Sequence, residues 1–311
     1  MTNAIPQRHL SLKGWGLLIL LALIWGGSFT ANHVALAEMP VASVVAARVT
    51  GAALVLWAYI ALARLPVPFS WRFARAALVL GVFNNIVPFS LIVWGQTHIA
   101  SGLAGILNAS TALFSVLVAA AVFPDERLGL RRLTGVLLGL MGVAVVIGPA
   151  ALTHLDLTSL GQLAILGAGV SYAGAAAFGR QALKGIRPEV GAAAMLTASA
   201  LIMLPAALIL NGAPTLPGPE TLTALAYLAI VASALAYRLF YTVLQQAGAG
   251  NLGLVTLLIA PIAVLLGAAL FHEALPPQAF AGLVLLTLGM VTLDGRPLHW
   301  MATRLSARFS A

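Results

Sequence analysis

Asn32, Asn85 and Asn108 each stand inside a long apolar run with aromatic or hydroxyl residues one or two helical turns away. That combination suits holding a small molecule rather than cleaving a bond. An amide hydrogen-bonds both an ammonium and a carboxylate, and an aromatic face takes apolar side chains and cations. At about 100° per residue, Trp25, Phe29 and Asn32 share one helix face with Ser28 at its edge. Asn85, Phe89 and Gln96 share a second face. Ser101, Asn108, Thr111 and Ser115 form a third stripe, and Ser233, Tyr237 and Tyr241 a looser fourth. Ser and Thr in such stripes also glue helices at close approach. The substrate-binding candidates are therefore Trp25, Asn32, Asn85, Phe89, Asn108, Tyr172, Tyr237 and Tyr241. The same runs do not support catalysis: they hold no nucleophile paired with a base, no two acids, no His/acid metal cluster and no cysteine. No Gly-rich loop with the Walker lysine follows a strand, which removes an ATP-driven pump. No cofactor and no metal is expected.

The elements that must position these residues are membrane spans. Of the 311 residues 61% are hydrophobic and 8% charged, with a mean hydropathy of +1.03, against roughly 25% charged in a soluble domain. The chain reads as an all-α integral membrane protein. A hydrocarbon core about 30 Å thick takes roughly 20 apolar residues per span. Apolar runs at about 15–36, 41–63, 76–96, 101–123, 133–150, 160–180, 190–210, 221–243, 250–271 and 279–294 predict ten transmembrane helices. With the N-terminus inside, the gaps place 14 of the 16 Lys and Arg on one side, all but Arg48 and Arg238, which lie within spans. The gaps near Glu38, His98, Asp156, Glu220 and Glu273 hold none. The positive-inside rule then predicts a multi-pass protein of the inner membrane with both termini cytoplasmic. The net charge of +8 is distributed among these gaps rather than gathered on a wet face, so nucleic acid is not an expected partner. The expected partners are the lipid bilayer and a small-molecule substrate, with the chain as a monomer. Ala35-Leu36-Ala37 resembles a signal-peptide cleavage site, but the run before it is long enough to span and takes part in an internal repeat.

An offset of 147 residues pairs Trp25 with Tyr172, Trp94 with Tyr241, Glu126 with Glu273, Gly135 with Gly282 and Gly142 with Gly289. The aromatic and Glu pairs come from residue classes that are rare in this chain. Residues 1–147 and 148–311 are thus expected to be two five-helix repeats. Because five is odd, the second crosses in the opposite sense. In such inverted repeats substrate binds near the midplane between the halves and access alternates.

Leu23-Ile24-Trp25-Gly26-Gly27-Ser28-Phe29, Ala46-Ala47-Arg48, Asp125-Glu126-Arg127-Leu128 and Gly135-Val136-Leu137-Leu138-Gly139 resemble the EamA-type drug/metabolite transporters, as do Ala260-Pro261 and Phe271-His272-Glu273-Ala274-Leu275. The resemblance covers essentially the whole chain, and is greatest to the bacterial amino-acid and metabolite exporters of the YddG kind. It implies ten helices, a central cavity built from both halves, and efflux from the cytoplasm. Ala112 departs from the pattern, since the first half often carries there the proline that Pro261 supplies in the second. A matched break in the fourth and ninth helices is therefore not expected.

Pro88 is mid-helix and frees the carbonyl of Asn84, four residues back. Asn84 and Asn85 point about 100° apart, and Asn85 is expected to be the ligand and Asn84 the residue that satisfies the broken backbone. Pro261 and Pro205 release the Leu257 and Leu201 carbonyls in the same way. Gly26, Gly27, Pro88 and Pro261 are the hinge candidates. Arg48 and Arg238 each cost about 2.5–3.5 kcal/mol at a helix centre. Two readings stay open for both: contact with an anionic group of a substrate, or snorkelling and interhelical pairing. None of the eight acidic residues is mid-span, which disfavours proton-coupled export of cationic drugs. His33, near an outer end, is expected to be a hydrogen-bonded interfacial residue.

The expected function is a secondary transporter that exports small neutral or zwitterionic metabolites, aromatic or hydrophobic amino acids among them, as a uniporter. Export of other drugs or metabolites is the near alternative. A non-transporting scaffold explains the apolar chain but gives no reason for polar stripes at mid-depth, and a passive pore would need a charged ring or filter motif.

Overall fold

The structure, a computed structural model, describes residues 12–68, 70–123, 129–147, 156–247 and 254–294. Among them there is no strand. The helices are α1 (Leu12–Leu36), α2 (Val41–Leu62), α3 (Trp71–Gly95), α4 (Ser101–Val122), α5 (Leu130–Ile147), α6 (Leu157–Ala182), α7 (Pro188–Asn211), α8 (219–247), α9 (Leu254–Phe271) and α10 (Pro277–Asp294). The eight from α1 to α8 are long and apolar enough to cross a membrane, and α9 and α10 carry shorter apolar stretches, Leu258–Phe271 and Pro277–Thr292. Asp125-Glu126-Arg127-Leu128 and the tail residues Arg296, Arg304 and Arg308 lie outside the described residues.

Short connections make consecutive helices antiparallel and sort the charges by end. Glu38, Asp156, Glu220 and Glu273 share one end, here the acidic end; Arg64, Arg72, Arg131, Arg132, Lys184 and Arg187 share the other, the basic end. Two acidic-end carboxylates cap helices. Glu38 accepts from the Gly218 N–H at 2.7 Å and from Thr221 Oγ1 at 2.8 Å, tying the α1–α2 turn to the start of α8. Asp156 accepts from the Ser159 N–H at 2.7 Å at the start of α6. Hydrogen bonds from helix N-terminal donors favour the ionised form. The Gly218 N–H, aided by Thr221, holds the Glu38 carboxyl below its ordinary range, and the Ser159 N–H does the same for Asp156.

The principal packed pairs are α5 with α10, α2 with α7, α1 with α9, α3 with α6, α4 with α9, α4 with α6, α2 with α8, α3 with α7, and α1 with α8. Replacing each helix by the one five positions along returns the same set: α1·α9 becomes α6·α4, α3·α6 becomes α8·α1, and α2·α8 becomes α7·α3. The α5–α10 crossing repeats this at the level of atoms. A Cβ added to Gly142 would fall 2.8 Å from the Gly282 carbonyl oxygen, and one on Gly289 would fall 2.7 Å from that of Gly135. Gly135 with Gly282 and Gly142 with Gly289 are the pairs found at the 147-residue offset, so each glycine packs on the counterpart of the other. Lipid gives apolar helices little reason to associate, and close backbone approach through small residues supplies the contact.

Two helices leave the ordinary α register at corresponding places. Gly81–Ile86 in α3 and Tyr227–Leu235 in α8 are π-helical, and the first, moved by 147 residues, lands inside the second. Bonds there run five residues back, as from the Val87 N–H to the Val82 carbonyl. Pro88, with no N–H, therefore frees the carbonyl of Phe83 rather than that of Asn84. Ser171 of α6 fills the vacancy, its hydroxyl donating to the Phe83 carbonyl at 2.6 Å.

The fourth and ninth helices reverse the expected relation between proline and break. α4 is interrupted between Asn108 and Thr111 although Ala112 is not proline. The Ala109 and Ser110 N–H groups turn to carbonyls three residues back, and Ser110 Oγ donates to the Leu107 carbonyl at 2.6 Å. α9 carries Pro261 and runs unbroken.

Candidate functional site

The π segment of α3 places two amides side by side against α7 and α8. Asn85 is fully buried. Its Nδ2 donates to Ser199 Oγ at 3.1 Å, and its Oδ1 accepts from the Tyr237 hydroxyl at 2.9 Å. Ser199 in turn donates to the Gly81 and Met195 carbonyls. Gly81 permits that approach, because a Cβ there would lie 2.8 Å from the Met195 carbonyl oxygen. Asn84 is half-buried and donates to Tyr237 Oη at 3.0 Å. Asn85 thus ties α3 to α7 and α8, and Asn84 is the amide with the more exposed side chain.

Arg48 does not snorkel. It is 6% exposed, its Nε donates to Ser233 Oγ at 3.0 Å, and its guanidinium carbon lies 3.9 Å from the centre of the Phe89 ring. The side chain therefore crosses from α2 into the space between α3 and α8. The Tyr172, Tyr227 and Tyr237 hydroxyls are within electrostatic reach of it. Arg238 behaves in the other way foreseen for it: exposed, with its guanidinium carbon 4.1 Å from the centre of the Tyr59 ring.

Trp25 is half-buried on the other wall. Its indole N–H donates to the Ala232 carbonyl in the π segment of α8 at 3.2 Å, and its ring lies 5.8 Å from that of Phe240. Tyr227 answers from α8, donating to the Ile24 carbonyl at 2.8 Å. Gly26 and Gly27 lie in unbroken helix at close-approach points: a Cβ on Gly26 would be 2.9 Å from Ile262 Cβ, and one on Gly27 would be 2.6 Å from Tyr227 Oη. Tyr172 is half-buried at the contact of α6 with both apolar cores. Asn108 is half-buried, and its Oδ1 and the nearby Thr111 Oγ1 are enclosed with no hydrogen-bond partner among the described residues. On the basic side of Tyr172 a cavity of about 140 Å³ opens between α4 and α6, with Ser115, Phe123, Ala177 and Arg180 on its wall. Tyr241 lies in α8, but its side chain is outside the described residues.

The acidic end is tied shut. Asn32 is buried, its Nδ2 donating to Gln96 Oε1 at 2.9 Å, and Gln96 Nε2 donates to the Phe29 carbonyl at 2.8 Å, joining α1 to α3. Glu273, between α9 and α10, accepts from the Ser101 N–H at 2.9 Å, the Gly102 N–H at 3.0 Å and Ser101 Oγ at 2.5 Å. Residues 101–107 of α4 are buried on every side, while most of 111–122 are only half-buried. His33 is exposed at this end with its ring 4.3 Å from that of Phe271.

Sequence reasoning missed Ser171, Ser199 and Tyr227. Each is a lone hydroxyl outside the stripes, and the only available signal was that it interrupts an apolar run.

Eight helices long and apolar enough to cross a membrane thus bring polar and aromatic side chains together in the interior of a multi-pass protein. The chain belongs to the EamA-like transporter family, whose pattern matches residues 12–148 and again 159–293, two matches that begin 147 residues apart. A Salmonella typhimurium protein named "Probable amino-acid metabolite efflux pump" is 27% identical over 90% of this chain and 94% of its own. A Streptantibioticus cattleyicolor protein named "Probable terminal-alkyne amino-acid exporter" is 26% identical over 93% of this chain and 95% of its own. The fold matches a crystal structure with a TM-score of 0.66 and 19% identity, over 90% of this chain and 97% of that one.

Proposed function

We propose that the chain is a secondary exporter of small zwitterionic metabolites, amino acids with aromatic or hydrophobic side chains among them, working by alternating access as a uniporter. Ten helices span the membrane as two inverted five-helix repeats, 1–147 and 148–311, with both termini cytoplasmic in an inner membrane. The helix pairings that survive exchange of the halves and the doubled family match support the repeat. The confinement of described Lys and Arg to the basic end, Arg48 and Arg238 apart, supports the orientation. The observation that carries the transport reading is the buried Arg48 with the Tyr172, Tyr227 and Tyr237 hydroxyls within electrostatic reach and Asn84 bonded to Tyr237, away from both ends. A scaffold has no use for such a cluster. The tied acidic end and the looser basic half of α4 support a state closed outside and accessible from the cytoplasm.

The positions of the acids support uniport. Glu38, Asp156, Glu220 and Glu273 sit at one end and Glu189 in the first turn of α7 at the other, so no described carboxylate is placed to carry a proton through the middle. Purified protein in liposomes loaded with phenylalanine should release it down its own gradient with no ion gradient present. Release that needs a pH gradient and stops when an ionophore collapses it would contradict uniport and make His33 the first residue to change.

A further inference from the structure

We propose that Arg48 is the carboxylate-binding residue of the transport site, and that the substrate class is therefore small carboxylates, amino acids above all, to the exclusion of their amides and esters. The inference rests on the exporter reading and narrows it. A guanidinium has five N–H donors in a fixed fork. In Arg48 only Nε is committed, to Ser233, and Ser233 is itself fixed by its hydrogen bond to the Leu228 carbonyl at 2.8 Å. One face lies on Phe89. These contacts set the rotamer and leave the Nη1 and Nη2 edge without a hydrogen bond to any described residue. No described carboxylate forms an ion pair with it either.

A buried charge missing its counter-ion costs several kcal/mol. The hydroxyls around it neutralise nothing, and Tyr227 and Tyr237 already donate to the Ile24 carbonyl and to Asn85. The Tyr172 hydroxyl, within electrostatic reach, donates to no described residue. A carboxylate arriving with the substrate fits the open fork through two parallel charge-assisted bonds. Its ammonium then has the Asn84 amide oxygen and aromatic faces for partners. The site takes one carboxylate and not two, because the residue matching Arg48 at the 147-residue offset is Met195, and Arg238 is an exposed cation stacked on Tyr59.

The test compares phenylalanine with phenylalaninamide, which keeps the ring and the amine and lacks the carboxylate. Wild-type protein in liposomes should move the acid at least about tenfold faster than the amide. Arg48→Gln should abolish that preference, leaving both slow, and Arg48→Lys should retain part of it, since a point charge replaces a fork. Equal rates in the wild type, or a tenfold preference kept by Arg48→Gln, would overturn the proposal. If Arg48→Gln fails to fold, the wild-type ratio and the lysine variant decide. If the wild type moves neither probe, the transport reading fails, and calorimetry on the purified protein then reads Arg48 alone. Phenylacetate binding that is weakened in Arg48→Lys supports the carboxylate site, and no phenylacetate binding to the wild type, or binding unchanged in Arg48→Lys, overturns it.

Discussion

Gly142→Leu is expected to abolish the recoverable folded protein or to lower its thermal midpoint by many degrees. A Cβ at this position would fall 2.6 Å from the Leu286 nitrogen and 2.8 Å from the Gly282 carbonyl oxygen. Both neighbours are backbone atoms of α10, so the clash is relieved only by separating α5 from α10. Overpacking in a closely packed core costs about 1–3 kcal/mol where side chains can give way, and the cost is greater where they cannot. Gly174 provides the control, because nothing lies within 4 Å of a Cβ there. Gly174→Ala should hold or raise the midpoint, since glycine within a helix is about 1 kcal/mol worse than alanine. A Gly142→Leu protein with the wild-type midpoint would mean that α5 and α10 do not meet through these glycines.

Asn85→Leu is expected to cost both stability and flux. Leucine fills much the same volume, yet it removes the acceptor of the Tyr237 hydroxyl proton and the donor to the buried Ser199 hydroxyl, breaking two bonds that join α3 to α8 and α7. Each hydrogen bond lost costs about 0.5–1.5 kcal/mol net, and the π segment that Asn85 anchors also carries Asn84. Asn84→Leu removes one donor to Tyr237 from a half-buried position. It should therefore lower flux with a much smaller loss of midpoint. The reverse ranking, with Asn85→Leu as stable as wild type and Asn84→Leu fully active, would return Asn85 to the role of ligand.

The helices were legible because apolar run length is a property of sequence alone. Gly142 and Gly289 stand 147 residues apart, and that spacing marked α5 and α10 as counterparts, while their packing on each other emerges only in the fold. The surroundings of Asn84 and Asn85 were not legible, because a helical wheel takes 100° per residue throughout. A π segment inserts extra chain into one turn and rotates everything beyond it, and no residue type in Gly81–Ile86 signals that register. The fate of Arg48 was open for a related reason. A helical wheel gives the direction in which a long side chain leaves its helix, but the gap between α3 and α8 that receives this one exists only after packing. The α4 break at Ala109–Ser110 was hidden too, since Ser110 turning back on the Leu107 carbonyl looks in sequence like any serine in a helix.

Alternating access by the proposed exporter requires the two halves to rock against each other so that one end closes as the other opens. A chain without native cysteine is ready for spin labels at chosen pairs. Thr97→Cys with His272→Cys spans the acidic end, from the end of α3 to the end of α9, and Gln181→Cys with Thr242→Cys spans the basic end, from α6 to α8. In liposomes, double electron–electron resonance on adding phenylalanine should show the acidic-end distance gaining a longer population while the basic-end distance gains a shorter one. Distances that ignore the substrate, or that lengthen or shorten together at both ends, would contradict alternating access in this protein.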